Sequence, residues 1–405
     1  MLFAVLFSSL ISFVMIFWAR VMLHYDSYSY INAIDNLTAF QLDPLRTPVY
    51  PLLLAFSKLI FGECLYLWAV IVIQHAVFVL SVFYLAKMIT GITRSAFILY
   101  GTVFIYNLGI NMLGWNNMIM TESLATSGMT VLLAVTFDFL HTKKNSDIFK
   151  MSFLIAALIF HRPIFVYLLP VYMMIMLSVL CGKWKKPALK GFVSLTIVGI
   201  LVVCYMLAFK HSYGVIAMSN VSIFNNIFIA REAQLITPEN VDDPALSSAI
   251  AQHYKDYGGT VDDKRSISYF CEGLVSNIPL PVLQRNVNNV IYDNKTQWVS
   301  LTWKRFVDSF ADSLFPLGQS ALGFIPMGVL YLLLFAFFIA LVLSNLGDRN
   351  FLWLILLLEL TNIATAIVGA QDACNRLVIP SIAIPSIMTA YIMETIRGLF
   401  IFHKT

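Results

Sequence analysis

The chain alternates long apolar runs with short polar breaks, and the runs have the length of membrane spans, about 17–25 residues each. They fall at about Leu2–Leu23, Leu65–Met88, Ser95–Ile110, Thr121–Leu140, Leu189–Phe209, Ala321–Leu343, Phe351–Val368 and Leu377–Phe400. Phe149–Leu180 is too long for one span. His161-Arg162-Pro163 divides it, because proline lacks the N–H and disfavours helix in the residue before it. This predicts two short spans, with one kinked long helix as the alternative. Residues 24–63 are too polar and too interrupted by proline to cross. Within them Tyr28, Ile31, Ile34 and Leu37, then Leu52, Leu53, Phe56 and Leu59, keep helical spacing, which predicts two amphipathic helices lying in the interface.

The expected fold is therefore an all-α polytopic membrane protein with about ten spans. It divides into an N-terminal membrane module over residues 1–209 with the polar outer loop 24–63, an extramembrane domain over 210–319, and a C-terminal membrane module over 320–405. The middle segment is marked by turn signals at Asp242-Asp243-Pro244, Gly258-Gly259 and Asp262-Asp263. Met1–Trp18 lacks a basic leader and a small-residue cleavage site, so it reads as a first span and not a signal peptide.

Composition agrees with the pattern. Of 405 residues, 59% are hydrophobic and only 12% charged, against roughly a quarter charged in soluble domains; mean hydropathy is +0.80. The formal net charge of +4 comes from Lys and Arg in loops and not from a basic face, so no nucleic-acid partner is expected. Cys64, Cys181, Cys204, Cys271 and Cys374 are scattered, without metal-ligand spacing or a disulfide framework. Cations concentrate in one set of loops, such as Lys143, Lys144 and Lys150, then Lys183, Lys185, Lys186 and Lys190; the other short loops carry Arg20, Arg46, Lys58, Arg162 and Arg376. By the positive-inside rule both termini are cytoplasmic. The stretch His24–Pro51, Glu122, Arg162, Asp372, Arg376 and the 210–319 domain then share the extracytoplasmic side.

Ionisable groups near membrane depth point to function unless a loop or interface holds them cheaply. Asp26, flanked by His24 and Tyr25, is either the N-cap of the following helix or a general base; a cap would also fix the carboxylate's position. Asp35 belongs to a solvated helix face with Asn32 and Asn36, and Asp43-Pro44 is a turn signal. Arg46 is an interfacial anchor beside Tyr50 or a cation for an anionic substrate, for which its paired donors suit phosphate. Glu122 suits the positive end of the fourth span's dipole as well as a reaction site. Arg162 and Arg376 are outer-end cations that could converge on a lipid phosphate or simply snorkel. Glu359 is mid-span, a neutral hydrogen-bonded acid or the wall of a polar cavity.

Taken in order, these residues resemble the GT-C glycosyltransferases, integral membrane enzymes that use polyprenyl-phosphate sugars, most of all families 39 and 83. The resemblance rests on Asp26 after the first span with Tyr30 and Ala33 following, on Arg46-Thr-Pro48-Val-Tyr50-Pro51-Leu, and on Gln74. It continues in Thr121-Glu122-Ser123-Leu124, Arg162-Pro163, and Asn375-Arg376-Leu377 with Pro380 and Pro385, spread over almost the whole chain. It implies inverting transfer of a sugar from a polyprenyl-phosphate donor to a lipid-linked or cell-envelope glycan acceptor, at the outer face of a bacterial inner membrane, as in lipopolysaccharide modification. Asp26 matches the catalytic acid of the first outer loop, with Glu122 beside it. His24, Tyr25, Arg46, Tyr50, His161, Arg162 and Arg376 are the expected substrate contacts, the arginines facing the leaving phosphate. No cofactor is implied beyond the donor. Two departures stand out: Asp26 is followed by Ser27 where many members carry a second acid, which argues against a tightly held divalent metal, and the outer domain is small.

Two rivals share parts of the pattern. An O-antigen polymerase or ligase would fit the large late loop, but the Arg46–Pro51 element and Glu122 favour the sugar transferase. A transporter or flippase of lipid-linked sugars predicts internal repeats and broken midplane helices, and the sequence has no repeated period. A membrane O-acyltransferase would need a His-centred site at depth, whereas His161 is expected at an interface.

Overall fold

A computed structural model describes residues 1–112, 114–180, 185–257, 264–312, 326–343, 349–369 and 377–402, with the backbone alone at 111–112, 343 and 398–402. Arg376 therefore lies outside the described residues, as do Asp372, Asn375 and the turn signals at Gly258-Gly259 and Asp262-Asp263.

The described chain is helical, with an isolated bridge between Met22 and Met118. The helices are α1 Leu2–Ala19, α2 Tyr25–Thr38, α3 Val49–Ile92, α4 Ala96–Asn107, α5 Glu122–Thr142, α6 Asn145–His161, α7 Leu168–Leu180 and α8 Lys185–Tyr213. After these come α9 Val221–Glu232, α10 Pro244–Tyr257, α11 Lys264–Asn277, α12 Leu280–Asp293, α13 Lys295–Asp308, α14 Gly328–Leu343, α15 Arg349–Gly369 and α16 Ala383–Phe402.

Among the described residues, 7 helices are long and apolar enough to cross a membrane, and Ala96–Ile110 and Gly328–Val342 are shorter apolar helices. The remaining expected span is α6, 17 residues long. It is joined to α7 through a 3-10 turn over Pro163–Tyr167. Arg162, the residue before the proline, is extended at φ −145°, ψ 118°, as the ring's clash with the preceding residue requires. The run is thus two helices and not one kinked helix.

α3 joins the second amphipathic helix to the second span. Its backbone breaks at Gly62, φ 72°, ψ 173°, a conformation glycine adopts without the clash a Cβ would bring. Before that break Leu52, Phe56, Leu59 and Ile60 are exposed while Tyr50, Leu54 and Ser57 are buried, the two-faced pattern of an interfacial helix.

α5 is the most enclosed span and packs against α3 and α6. α1 is peripheral, and its buried stripe is Ala4, Ser8 and Ser12. Small residues at i, i+4 and i+8 let backbones approach closely in lipid, where packing and hydrogen bonds replace the hydrophobic drive. Asn107 Nδ2 donates to Ser8 Oγ at 2.8 Å across that seam.

Three cores result. The large one is built by the spans. A second is closed by α9–α12 around Ile227, Phe228, Leu246, Ile267 and Val287, with Leu42 of the first loop packed against it. The third is small and holds Tyr30, Ile34, Tyr50, Leu54, Tyr66, Val70, Ile71 and Ile119. It clamps α2 and the start of α3 onto the end of the spans next to Ile119.

Candidate active site

The site grows from a segment that leaves α1 and re-enters α2. Met22 pairs in parallel with Met118: its N–H donates to Asn117 O at 2.8 Å, and its carbonyl accepts from Ile119 N at 3.0 Å. Asn117 Nδ2 donates to Met15 O at 3.1 Å and Arg20 O at 3.0 Å, satisfying carbonyls that the end of α1 would otherwise leave bare. Its Oδ1 lies 3.0 Å from His75 Nε2. Asn116 and Gln74 complete the hinge: Gln74 Nε2 donates to Asn116 O at 2.9 Å and Met118 O at 3.0 Å, and Ser123 Oγ donates to Asn116 Oδ1 at 2.6 Å. The polar break between the third and fourth spans therefore seats the first loop.

His24, and not Asp26, caps α2. The Asp26 N–H donates to His24 Nδ1 at 3.3 Å, and the His24 N–H donates to Ser27 Oγ at 2.9 Å. This is a reciprocal capping box. Asp26 then stands in the first turn, where the helix dipole favours a negative charge.

Arg46 gathers α2 around itself. Its Nη2 donates to Asp26 Oδ1 at 2.9 Å, Nε to Ser29 Oγ at 2.7 Å, and Nη1 to Tyr30 OH at 3.1 Å. The guanidinium also lies 4.2 Å over the Tyr30 ring, a cation–π contact. Positions 26, 29 and 30 share one helix face, since residues three and four apart are neighbours.

Asp43 sets the angle at which Arg46 arrives. Its Oδ1 accepts the N–H groups of Leu45 at 2.8 Å and Arg46 at 2.6 Å, and Oδ2 accepts Asn36 Nδ2 at 2.7 Å. Such a carboxylate folding its own chain is the usual work of Asp in a turn. The first loop also touches α8, the start of α9 and α11. Asn220 N donates to Pro44 O at 2.8 Å, Tyr213 OH donates to Leu42 O, and Tyr25 OH donates to Glu272 Oε1 at 2.7 Å. That last bond, with burial and the nearby carboxylate charge, pushes the Tyr25 phenol up to about 12.

Beneath this layer lies a buried one. Tyr50 is enclosed between the rings of Tyr30, 5.2 Å away, and His161, 5.5 Å away. Its OH donates to Gln74 Oε1 at 2.9 Å. His161 Nε2 lies 2.9 Å from Thr121 O; a carbonyl only accepts, so the proton is on Nε2. Thr47 Oγ1 donates to His161 O at 3.2 Å, and Tyr30 OH is 3.3 Å from Thr121 Oγ1.

Glu122 opens α5 and is fully buried. Arg162 Nη1 stands 3.5 Å from its Oε1. That nitrogen has no hydrogen-bond partner among the described residues.

The structure thus brings His24, Tyr25, Asp26, Arg46, Tyr50, Glu122, His161 and Arg162 into one connected network. Asp26 is reachable, with 28% of its side chain exposed, while Glu122 is not. Glu359, in α15, is buried elsewhere near Tyr167 and Asn362. Sequence reasoning passed over Ser29, Asn116, Asn117 and Glu272. The first could have been found from its spacing to Asp26 and Tyr30. Glu272 carries no such signal, being 247 positions from its partner.

No protein-family model matches the chain, and no curated protein sequence does. Among solved structures, it is similar to the archaeal oligosaccharyltransferase AglB from Archaeoglobus fulgidus, solved in complex with an inhibitory peptide and a dolichol-phosphate, with TM-score 0.52 and 14% identity. The match covers 100% of this chain and 51% of that one, so the chain spans about half the length of that structure. At this identity the likeness is one of fold: an all-α polytopic membrane protein of GT-C-like architecture. It does not single out families 39 and 83.

Proposed function

We propose that the chain is a GT-C-type membrane glycosyltransferase, similar to families 39 and 83. It moves a sugar from a polyprenyl-phosphate donor to a lipid-linked or cell-envelope glycan with inversion at the anomeric carbon. The observation that carries this reading is the partly exposed Asp26 carboxylate, held at 2.9 Å by an arginine whose other donors are engaged by Ser29 and Tyr30. A fold shared with a protein solved in complex with a dolichol-phosphate supports a lipid-phosphate donor. The uneven spread of Lys and Arg among the loops supports a site on the extracytoplasmic face.

In this mechanism Asp26 takes the proton from the acceptor hydroxyl as its oxygen attacks the anomeric carbon. The bond between that carbon and the phosphate oxygen breaks, and the polyprenyl phosphate leaves with the electron pair. Arg46 orients the carboxylate from 2.9 Å, a narrower role than that of a phosphate contact. Developing charge on the leaving phosphate needs a preorganised donor. Arg162 is the cation assigned to it: Glu122 holds its Nη1 at 3.5 Å inside the protein while 11% of the side chain stays exposed, so the rest of the guanidinium would meet the phosphate. Glu122, being fully buried, acts through Arg162 as a positioning residue. Arg376 remains a further candidate for the phosphate from the sequence alone.

The reading is tested with the full chain in nanodiscs, supplied with a labelled polyprenyl-phosphate hexose and a glycolipid extract. It expects label in the acceptor fraction with the anomeric configuration inverted. Retained configuration, or no transfer from any polyprenyl-phosphate sugar, overturns it.

A further inference from the structure

α13 is an amphipathic helix with no buried residue, and its apolar side has no cover. Val299 is 68% exposed, Trp303 65%, Val307 49% and, just past the helix, Phe310 42%. At about 100° per residue these four lie within a quarter-turn of one another. Gln297 and Asp308 lie away from the stripe. Soluble domains do not leave a Trp-centred stripe of this kind in water without a use for it.

The ends of α13 fix where the stripe sits. Trp298 packs against the core of α9–α12. At the other end Phe306 and Phe310 enclose Tyr331, with ring centroids 5.6 Å and 4.5 Å away. Ser309 Oγ lies 2.7 Å from the Tyr331 hydroxyl. Backbone bonds then join the two segments: Gly328 N to Phe310 O at 3.1 Å and Met327 N to Asp312 O at 2.7 Å. Tyr331 is in the first turn of α14, whose own outward residues, Val329, Leu332 and Phe335, are 49%, 70% and 65% exposed. The α13 stripe is therefore continuous with a lipid-facing surface, at the level where that surface begins.

We infer that α13 lies in the bilayer interface on the side that carries the site, with Val299, Trp303 and Val307 inserted among the lipids. Trp is enriched at this depth because its ring is apolar while its N–H stays near the headgroups. Exposed Lys295 and Lys304 stand at the flanks, where they can reach anionic headgroups, as in other interfacial helices. A helix so seated ties the outer helices to the membrane. Through the bonds of Asn220 to Pro44 and Tyr25 to Glu272, it would hold them over α2. This inference rests on the membrane fold alone and not on the reaction proposed above.

The test is spin labelling of the full chain in phospholipid nanodiscs, with the native cysteines other than buried Cys271 replaced by serine. Labels are placed singly through Val299→Cys, Trp303→Cys, Val307→Cys, Gln297→Cys and Asp308→Cys. Collision with oxygen, which partitions into lipid, is compared with collision with a water-soluble nickel chelate. The expected result is an oxygen-to-nickel ratio several-fold higher at the first three positions than at the last two. The five sites give a periodic pattern, so loss of one variant to misfolding leaves the reading intact. Uniformly nickel-accessible labels would overturn the inference by placing α13 in water. Labels at 299, 303 and 307 reached by neither collider would overturn it by showing a protein partner.

Discussion

Arg46 Nη2 meets Asp26 Oδ1 at 2.9 Å while Arg46's own backbone N–H is held by Asp43 at 2.6 Å. One carboxylate is thus positioned through an arginine by another. Both partners of the upper bond are partly exposed, so its worth lies less in stability than in aiming Asp26.

Arg46→Lys should therefore fold and fail. Lysine keeps the charge but cannot reach Ser29, Tyr30 and Asp26 together, and a displaced catalytic group costs about 100-fold in rate. Initial rates of sugar transfer at saturating donor check this, with thermal unfolding in detergent as the control. An Arg46→Lys enzyme near the wild-type rate would mean that Asp26 needs no such aiming.

Asp43→Ala should act on the fold first. It strips the carboxylate from two backbone N–H groups and from Asn36, and hydrogen bonds to a charged group contribute about 1.5–3 kcal/mol each at most. Asp43→Asn keeps an acceptor oxygen and should recover a large part of the loss. Unfolding midpoints of the two variants give the comparison.

How much of this could be read in the sequence follows from what each feature depends on. The spans, the break before Pro163 and the amphipathic pair in 24–63 are local matters of spacing and proline chemistry, and they read directly. Asp26 was singled out by the family resemblance, since its residue type and place alone left a helix cap and a general base equally open. Asp43 was read as a turn and no more, correctly for its backbone, yet the position of Arg46 depends on that turn. The capping assignment went to Asp26 or a base, whereas His24 and Ser27 form the cap; a histidine accepting through Nδ1 is rare enough that propensity does not suggest it. Glu122 was read as a partner of the helix dipole or a reacting group, and the structure places it fully buried, a depth that residue type and spacing do not report. Contacts such as Tyr25 with Glu272 are set by how α9–α12 fold back over the loop, which no local pattern encodes.

The pair of Glu122 and Arg162 predicts an asymmetry. Arg162→Gln leaves a carboxylate fully buried without its cation, and breaking such a pair costs about 3–5 kcal/mol. Adding Glu122→Gln removes the stranded charge and should restore much of the stability, while transfer stays low because the cation is still missing. Stability and activity measured on the same three proteins separate the roles; equal recovery of both would make the pair merely structural.

The outer helices should weaken in acid. Burial, and next the charge of Arg231, hold His253 below its ordinary range; Arg231 Nε donates to its Nδ1 at 3.0 Å, and Phe270 stacks on its ring at 4.3 Å. Ser266 and Asp256 act in the opposite direction. The unfolded chain therefore binds a proton more readily than the folded one, so stability rises with pH in that window. The contribution is complete above the unfolded value of about 6.5 and is lost as pH falls below it. His253→Gln should flatten the dependence of the unfolding midpoint on pH below about 6.5.

The central claim is that Asp26 is the base, and the rate of Asp26→Asn in membranes supplied with a polyprenyl-phosphate sugar tests it most directly. Asparagine keeps the size and can still accept from Arg46, so the chain should fold and bind donor. Transfer should fall by about 10²–10⁴-fold, the range that a positioned general base contributes. A folded Asp26→Asn protein transferring sugar at the wild-type rate would contradict the account.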